Sequence, residues 1–343
     1  MSRRRRILYS IVVVLAFFGA NEGLLRATGW SKTSIDEVYS DIYDVEYVMS
    51  PGSPNPYTMQ KETLNANGLR GPSFPLNRPE GVVRVVCLGD STTFGMGPIE
   101  DSYPFMLQKI LEEELGTGMA QVLNAGIPGT GFTQQLLFFQ RGMRTFKPDV
   151  VCLTGGPNYR PDIKRYRDRL KSDTFRRLNT FRGWLAKLDI YRLLRRIIKG
   201  GPTEFVLDDA QIQAGPEESG KYLMDYWEDL ERMRSIAEED GFGLVFLNIP
   251  HQELMEELEK SGAAPDTPEY MDVVRHFTAD HLTPRFARKY GFAFVDTIPG
   301  FIGLPVNEDL FFDPNHPARL GNEVIARDVG SAVFKSLNQD KAL

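Results

Sequence analysis

The sequence predicts an α/β fold in which helices cover both faces of a mostly parallel β-sheet. From residue 82 onwards, short apolar runs typical of buried strands alternate with longer helical patterns. Alternating elements of this kind form βαβ units with parallel strands. The composition, 42% hydrophobic and 25% charged, is that of a globular protein. With 343 residues, the chain can bury one large core or two small ones.

Charge and cysteine content argue against two classes of protein. The chain has 40 Lys and Arg residues against 46 Asp and Glu, and this acidic balance argues against a nucleic-acid-binding protein. It has only two cysteines, too few for a disulfide-based scaffold. Because Cys87 and Cys152 lie within apolar, strand-like runs, we expect both to be free buried thiols.

The N-terminal segment, residues 1–25, is predicted to be a signal anchor or a signal peptide. Four arginines at positions 3–6 precede an apolar run over residues 7–20. Cleavage after Ala20 would place Phe18 where a small residue is required, so we favour an uncleaved anchor, with a cleaved signal as the alternative. The arginines are expected to keep the N-terminus in the cytoplasm, so the body would be periplasmic or extracellular: anchored to the membrane, or secreted if the segment is cleaved.

A single domain is expected over residues 81–340, after a polar, proline-rich lead-in over residues 26–80. The predicted strands are 82–88, 121–124, 149–153, 243–249 and 293–296; the predicted helices are 103–115, 133–146, 221–240, 270–290 and 317–336. In such a sheet, ligands bind at the carboxyl ends of the strands. The residues that follow each strand are therefore the candidates for a functional site.

A basic helical insertion interrupts this alternation over about residues 160–220. Between residues 160 and 199 there are 14 Lys or Arg against four Asp. Apolar side chains recur there at helical spacing: Phe181, Trp184, Leu185, Leu188, Tyr191, Leu194 and Ile198. We favour a helix that packs this apolar stripe on the body and exposes a basic face. An amphipathic helix on an anionic membrane surface is the alternative.

A serine follows the first predicted strand, in Gly89-Asp90-Ser91-Thr92-Thr93. A serine on the turn after a buried strand is well placed as a nucleophile, and Gly89 allows the sharp turn. The stretch is not a Gly-x-Ser-x-Gly nucleophile elbow, because Thr93 stands at the second glycine position. Small polar residues after a strand also form turns and helix caps, which is the alternative interpretation.

The second and third strands end in potential hydrogen-bond donors for an oxyanion. Asn124 opens a loop with glycines at 126, 129 and 131, where backbone N–H groups can approach a ligand closely. Neither of the common phosphate-binding glycine motifs occurs there. The third strand is followed by Gly155-Gly156-Pro157-Asn158-Tyr159, in which Asn158 offers a side-chain amide, although an asparagine after proline is ordinarily a turn residue.

An aspartate and a histidine stand three residues apart in Asp313-Pro314-Asn315-His316-Pro317. Pro317 suits the first position of the last predicted helix, which places His316 at the helix entrance. A carboxylate this close can hold one ring nitrogen as a donor and leave the other free to take a proton from Ser91. A capping aspartate beside an incidental histidine is the alternative.

Together, these four stretches resemble the SGNH (GDSL-type) hydrolase family, whose members have a flavodoxin-like three-layer α/β/α fold. The resemblance covers roughly residues 82–160 and 293–330, and it implies hydrolysis of carboxylic esters by a Ser-His-Asp triad without metal or cofactor. It implies that Ser91 is the nucleophile and one oxyanion donor, His316 the base, Asp313 its partner, and Gly129 and Asn158 further oxyanion donors, with Gly126 as an alternative to Gly129. Tyr159 departs from the aspartate often found there in the family. Residues 67–71 also look like a lead-in common in anchored bacterial members.

We therefore predict an extracytoplasmic serine ester hydrolase that acts through an acyl-enzyme. Its substrate would be an acylated carbohydrate, a lipid or another small ester. The alternatives are an O-acyltransferase that uses the same acyl-enzyme and a non-catalytic anchored binding protein on the same fold. Among the other histidines, His251 either reaches the rim of the site or has no role, and His276 and His281 are expected at the surface.

Overall fold

The structure is a computed structural model that describes residues 2–28, 62, 64–154, 174, 177–178, 181, 184–185, 188–199, 216–265, 267–277 and 282–339. Its main sheet has five parallel strands: β1 (Val83–Gly89), β2 (Ala120–Gly126), β3 (Val150–Thr154), β4 (Gly243–Leu247) and β5 (Ala293–Val295). Their order across the sheet is β2-β1-β3-β4-β5, the flavodoxin-like order. The predicted fold class is confirmed.

Eleven α-helices are assigned among the described residues. They are α1 (Arg3–Thr28), α2 (Ser91–Phe94), α3 (Tyr103–Leu115), α4 (Phe132–Arg141), α5 (Asp189–Lys199), α6 (Pro216–Asp240), α7 (Gln252–Ser261), α8 (Pro268–Phe277), α9 (Leu282–Tyr290), α10 (Ile298–Phe301) and α11 (Arg319–Gln339). A small antiparallel hairpin, β6 (Phe311–Asp313) with β7 (His316–Pro317), precedes α11.

The central strands are largely apolar because helices cover both of their faces. Successive side chains of a strand point to opposite faces, so Val85 and Cys87 pack towards α3, α7 and α11. Val86 and Leu88 pack towards α4, α6 and α9. All four of these side chains are fully buried. This double burial explains why the strands appear in the sequence as continuous apolar runs, without polar alternation.

Three predicted helices differ from the structure. The helix predicted over 133–146 ends at Arg141 and is followed by a 3-10 helix over Met143–Phe146. The helix predicted over 270–290 is two helices, α8 and α9. Pro284 lies in the first turn of α9, where its missing N–H costs no helical hydrogen bond. Inside a continuous helix, the same proline would remove a hydrogen bond and kink or break the helix. The helix predicted from residue 317 begins at Arg319, because His316 and Pro317 pair with β6 instead. Pro317 is thus not the first helical residue.

The N-terminal helix is longer than the apolar run that predicted it. It continues through Asn21 and Glu22 to Thr28, and its length and apolarity are those of a membrane span or a signal sequence. The end of the lead-in belongs to the folded body. Leu64 and Leu69 are buried there, and Leu69 joins the core on the α4 side of the sheet.

The basic insertion presents its apolar residues differently from the favoured interpretation. Phe181, Trp184 and Leu194 are 54%, 57% and 47% exposed, so they are not packed on the body as that interpretation requires. Leu185, Leu188 and Tyr191 are half-buried. The side chain of Ile198 lies outside the described part of the chain.

Candidate active site

The turn after β1 places Ser91 at the first position of the short helix α2. Asp90 caps this helix, since its carboxylate accepts hydrogen bonds from the Thr92 N–H at 2.9 Å and the Thr92 hydroxyl at 2.8 Å. Gly89 has no room for a side chain, because a Cβ there would overlap the hydroxyl oxygens of Thr93 and Thr154. The two threonine hydroxyls are hydrogen-bonded to each other at 3.0 Å. The turn is therefore fixed by the close packing of Gly89 against the two threonines and by the hydrogen bonds of the Asp90 cap.

The β6–β7 hairpin brings Asp313 and His316 beside that turn. His316 Nε2 lies 2.8 Å from Ser91 Oγ, although the two residues are 225 positions apart in the chain. His316 Nδ1 lies 2.7 and 2.8 Å from the two carboxylate oxygens of Asp313. Ser91, His316 and Asp313 thus form one continuous chain of hydrogen bonds.

The hairpin also fixes the charge state of Asp313. Partial burial alone would raise the pKa of its carboxyl group. Three hydrogen bonds outweigh burial and hold the pKa of the carboxyl group below its ordinary value. One comes from the His316 ring, and two come from the N–H groups of Asn315 and His316, at 2.8 and 3.0 Å. The ionised carboxylate accepts the Nδ1 proton. Nε2 is then left as the acceptor for the Ser91 hydroxyl.

Two glycines of the second loop have different structural roles. Gly126 ends β2 opposite Gly89, and a Cβ there would lie 2.8 Å from Phe94 Cα and overlap the Phe94 backbone nitrogen. Its N–H donates to Asn124 Oδ1 at 3.1 Å. Gly129 lies in the following turn with φ +72°, a conformation that favours glycine. Among the described residues, no acceptor takes a hydrogen bond from the N–H of Gly129 or Ser91.

The third predicted oxyanion donor, Asn158, lies outside the described residues, as does Tyr159. His281 does too, and so does the side chain of His276, whose backbone belongs to α8. His251 caps α7, where its Nδ1 accepts from the Leu254 N–H at 3.3 Å. The sequence suggested either that His251 reaches the rim of the site or that it has no role, and neither alternative included capping.

Sequence reasoning missed Arg70, a buried arginine that binds the end of α2. Its guanidinium donates to the carbonyl oxygens of Phe94 at 2.9 Å, Gly95 at 2.8 Å and Gly97 at 2.6 Å. Glu62 accepts from its Nε at 3.1 Å. Arg70 thus ties the lead-in to the helix that starts with the candidate nucleophile. No pattern in the sequence indicated this contact, because the partners of Arg70 after α2 are backbone carbonyl groups.

Among the described residues, no group of three or more His, Cys, Asp or Glu side chains is placed to hold a metal ion. A serine hydrogen-bonded to a histidine, which a carboxylate orients in turn, is the arrangement that activates a hydroxyl as a nucleophile.

No family model matches the chain, and no curated protein matches it either. Solved structures similar to it include an acetyl xylan esterase, AlAXEase, at 16% identity and TM-score 0.44, with 73% of this chain and 100% of that chain covered. LAE5, an α/β hydrolase enzyme from the metagenome of Lake Arreo, Spain, is 17% identical at TM-score 0.43, with 74% and 95% covered. A putative lipolytic protein of the G-D-S-L family from Desulfitobacterium hafniense DCB-2 is 15% identical at TM-score 0.41, with 73% and 99% covered.

Proposed function

We propose that this protein is a serine ester hydrolase of the SGNH type. The observation that carries the proposal is the hydrogen-bonded chain from Ser91 Oγ through the His316 ring to the Asp313 carboxylate. Each link has a hydrogen-bond length, and the lowered pKa of Asp313 favours the ionised carboxylate that the chemistry needs. Ser91 and His316 are both only partly buried, so a substrate can reach them.

In the proposed reaction, Ser91 Oγ attacks an ester carbonyl carbon while His316 Nε2 takes the hydroxyl proton. The imidazolium so formed is stabilised by the ionised Asp313. When the tetrahedral intermediate collapses, the carbon–oxygen bond to the alcohol breaks and His316 returns the proton to the leaving oxygen. Water then attacks the acyl-enzyme with His316 again as the base, and the acid is released from Ser91.

The oxyanion that develops on the carbonyl oxygen needs donors beside Ser91. We propose the N–H groups of Ser91 and Gly129, together with the Asn158 amide. Gly129 is a better candidate than Gly126, because the Gly126 N–H already donates to Asn124. Loss of one such donor typically raises the barrier by about 3–4 kcal/mol.

We also propose that α1 is an uncleaved anchor and that the body is extracytoplasmic. The four arginines at the start of α1 favour a cytoplasmic N-terminus. Ala20, the candidate cleavage position, lies inside a helix that continues for eight more residues. This continuity supports a membrane anchor over a cleaved signal.

A p-nitrophenyl ester series from acetate to palmitate tests the proposed activity, measured with the full-length protein in detergent. We expect hydrolysis that is absent in Ser91→Ala, and labelling of Ser91 by a fluorophosphonate probe. Ser331→Ala is the matched control, because Ser331 is an exposed serine on α11 that the mechanism does not use. Hydrolysis or labelling that survives Ser91→Ala refutes the assignment. Transfer of the acyl group to an added sugar in preference to water would assign the same site to a transferase.

A further inference from the structure

The C-terminal end of α1 contacts helix α5 of the basic insertion. The Glu22 carboxylate accepts hydrogen bonds from the backbone N–H groups of Asp189 and Ile190, both at 3.0 Å. Glu22 is also paired with Arg26 at 2.7 Å. Leu25 and Asp189 are buried at this contact, with 6% and 5% exposure. The first turn of α5 is therefore capped by a side chain of the apolar helix, 167 residues away.

This junction sets the depth of α5 if α1 spans a membrane, as the proposed anchoring requires. At about 1.5 Å per residue, Glu22 lies about 22 Å along the helix from Ile7, the first apolar residue. The hydrocarbon core of a bilayer is about 30 Å thick. If Ile7 lies at one boundary of the hydrocarbon core, the first turn of α5 lies close to the opposite boundary. It is then within the depth of about 5–10 Å at which interfacial helices lie.

The surface of the insertion has the composition that this depth requires. Leu178, Phe181 and Trp184 recur at a spacing of three residues and are all exposed, and so are Leu194 and Ile197 on α5. The rings of Phe181 and Trp184 stack at 6.1 Å. Exposed apolar residues with tryptophan are typical of the membrane–water interface. In water, such a surface would be costly to leave uncovered.

The charge of the insertion indicates which lipids it favours. Helix α5 has four basic residues, at 192, 195, 196 and 199, against one aspartate. The 160–199 segment has a net charge of +10, whereas the remainder of the chain is at −16. An anionic bilayer surface attracts such a segment and repels the acidic body.

We propose that α5, with the exposed residues Leu178, Phe181 and Trp184 that precede it, lies on the outer surface of the membrane that α1 crosses, with anionic lipid headgroups as its partner. The exposed apolar side chains then enter the acyl boundary. The inference rests on the proposed anchoring and is independent of the esterase activity. The catalytic domain would thereby be held at the membrane by two attachments, one spanning and one interfacial.

The test uses full-length protein in vesicles of three parts phosphatidylcholine and one part phosphatidylglycerol. A polarity-sensitive fluorophore is attached to Ile197→Cys; the native cysteines are buried. We expect a nitroxide near the headgroup end of the lipid chains to quench this label several-fold more than the same label at Met271→Cys, an exposed site on α8. Equal quenching at the two sites overturns the inference.

A label at Val13→Cys, in the middle of α1, separates the inference from the anchoring. It should be quenched by a nitroxide at the end of the lipid chains. If Val13 is not quenched, the proposed anchoring has failed. If Val13 is quenched but Ile197 is not, the anchoring stands and only the interfacial position of α5 is wrong. A label at Ile197 that is shielded from water but not quenched by lipid would show a protein partner or a second copy there, and it would also overturn the inference.

Two variants test the contribution of the basic residues of α5 and the contribution of the Glu22 contact with the start of α5. Replacement of the four basic residues of α5 by Gln should abolish the increase in Ile197 quenching that phosphatidylglycerol produces, with quenching in pure phosphatidylcholine unchanged. If the increase persists, anionic headgroups are not the partner. Glu22→Ala should lower quenching at Ile197 towards the Met271 level without changing quenching at Val13. Unchanged quenching at Ile197 refutes the role of the Glu22 contact in placing α5.

Discussion

Arg70→Met removes a buried cation from the segment that carries the candidate nucleophile. The side chain of Arg70 is 1% exposed, and its guanidinium binds three backbone carbonyl oxygens and Glu62. Methionine keeps much of the apolar volume but offers no donor. The substitution therefore isolates the hydrogen bonds of the guanidinium from its packing.

The expected loss of stability follows from the partners left behind. The carbonyl oxygen of Phe94 keeps a hydrogen bond from Asn124 at 3.1 Å, so it is not orphaned. The buried carbonyl oxygen of Gly95 and the partly buried one of Gly97 lose the Arg70 donor, at about 1–3 kcal/mol for the buried acceptor and less for the partly buried one. Glu62 loses its charged partner but is 18% exposed and keeps the Ile99 N–H at 2.9 Å. We expect a loss of about 3–4 kcal/mol, near the lower end of the range for breaking a buried ion pair.

The expected loss of activity has a separate cause. The carbonyl groups that Arg70 binds lie at and just beyond the end of α2, which begins with Ser91. Without Arg70, the helix can shift, and a misplacement of about 1 Å can cost on the order of 100-fold in rate. We therefore expect fluorophosphonate labelling of Ser91 to slow by about tenfold or more, measured below the unfolding transition.

Arg84→Met is the matched control. Arg84 is fully buried at the other end of β1, where it binds Gln121 and the carbonyl oxygens of Pro75, Leu76 and Phe146. Its loss should cost comparable stability in chemical denaturation and leave the labelling rate of the folded protein unchanged. Equal labelling rates in the two variants would refute a positioning role for Arg70. A stability equal to wild type would refute the energetic argument.

Three further predictions concern the triad and its support. Ser91→Ala and His316→Ala should each lower kcat by several orders of magnitude, and Asp313→Asn by a smaller but large factor, and Ser91→Ala should leave the unfolding curve unchanged; wild-type turnover in a folded Ser91→Ala protein would contradict the mechanism. Gly126→Ala should force the backbone of α2 to move, with a loss of about 1–3 kcal/mol of stability and most of the activity. Gly97→Ala is the control: its added Cβ meets only ordinary contacts at 3.8 Å or more, so we expect a loss of less than about 1 kcal/mol. Similar denaturation midpoints for the two variants would contradict this prediction. Because the folded-state pKa of Asp313 is lowered, its ionised carboxylate stabilises the fold above the unfolded-state pKa, and this contribution is lost as pH falls through the lower folded-state pKa; denaturation series across the acid range should show this loss in wild type and not in Asp313→Asn.

The central strands were predictable because each is a largely apolar run buried on both faces. Strand β1 was expected over 82–88 and is found at 83–89, and helix α3 has the predicted bounds. The errors in element bounds arose where contacts with distant residues overrode a local sequence pattern. Pro317 is compatible with a helix start, yet its segment pairs with β6, and that pairing depends on residues before the turn.

The triad residues were predictable because each follows a strand or stands in a short loop of unusual composition. Gly89 and Asp90 beside Ser91, and Asp313 three residues before His316, are local signals. By contrast, Arg70 and Glu22 bind backbone groups, the carbonyl oxygens after α2 and the N–H groups at the start of α5. Backbone partners leave no residue pattern, so neither contact could be predicted from the sequence.

The sequence by itself determined the alternation of strands and helices, the apolar N-terminal helix and the residue types at the strand ends, because periodicity and turn chemistry are local properties of a chain. Only the tertiary structure decided that Ser91 and His316 lie 2.8 Å apart and that Glu22 caps a helix 167 residues away. Such distances depend on the order of the strands and on the packing of whole elements. Those are set by the total burial of apolar surface, to which every segment contributes and which no single segment specifies.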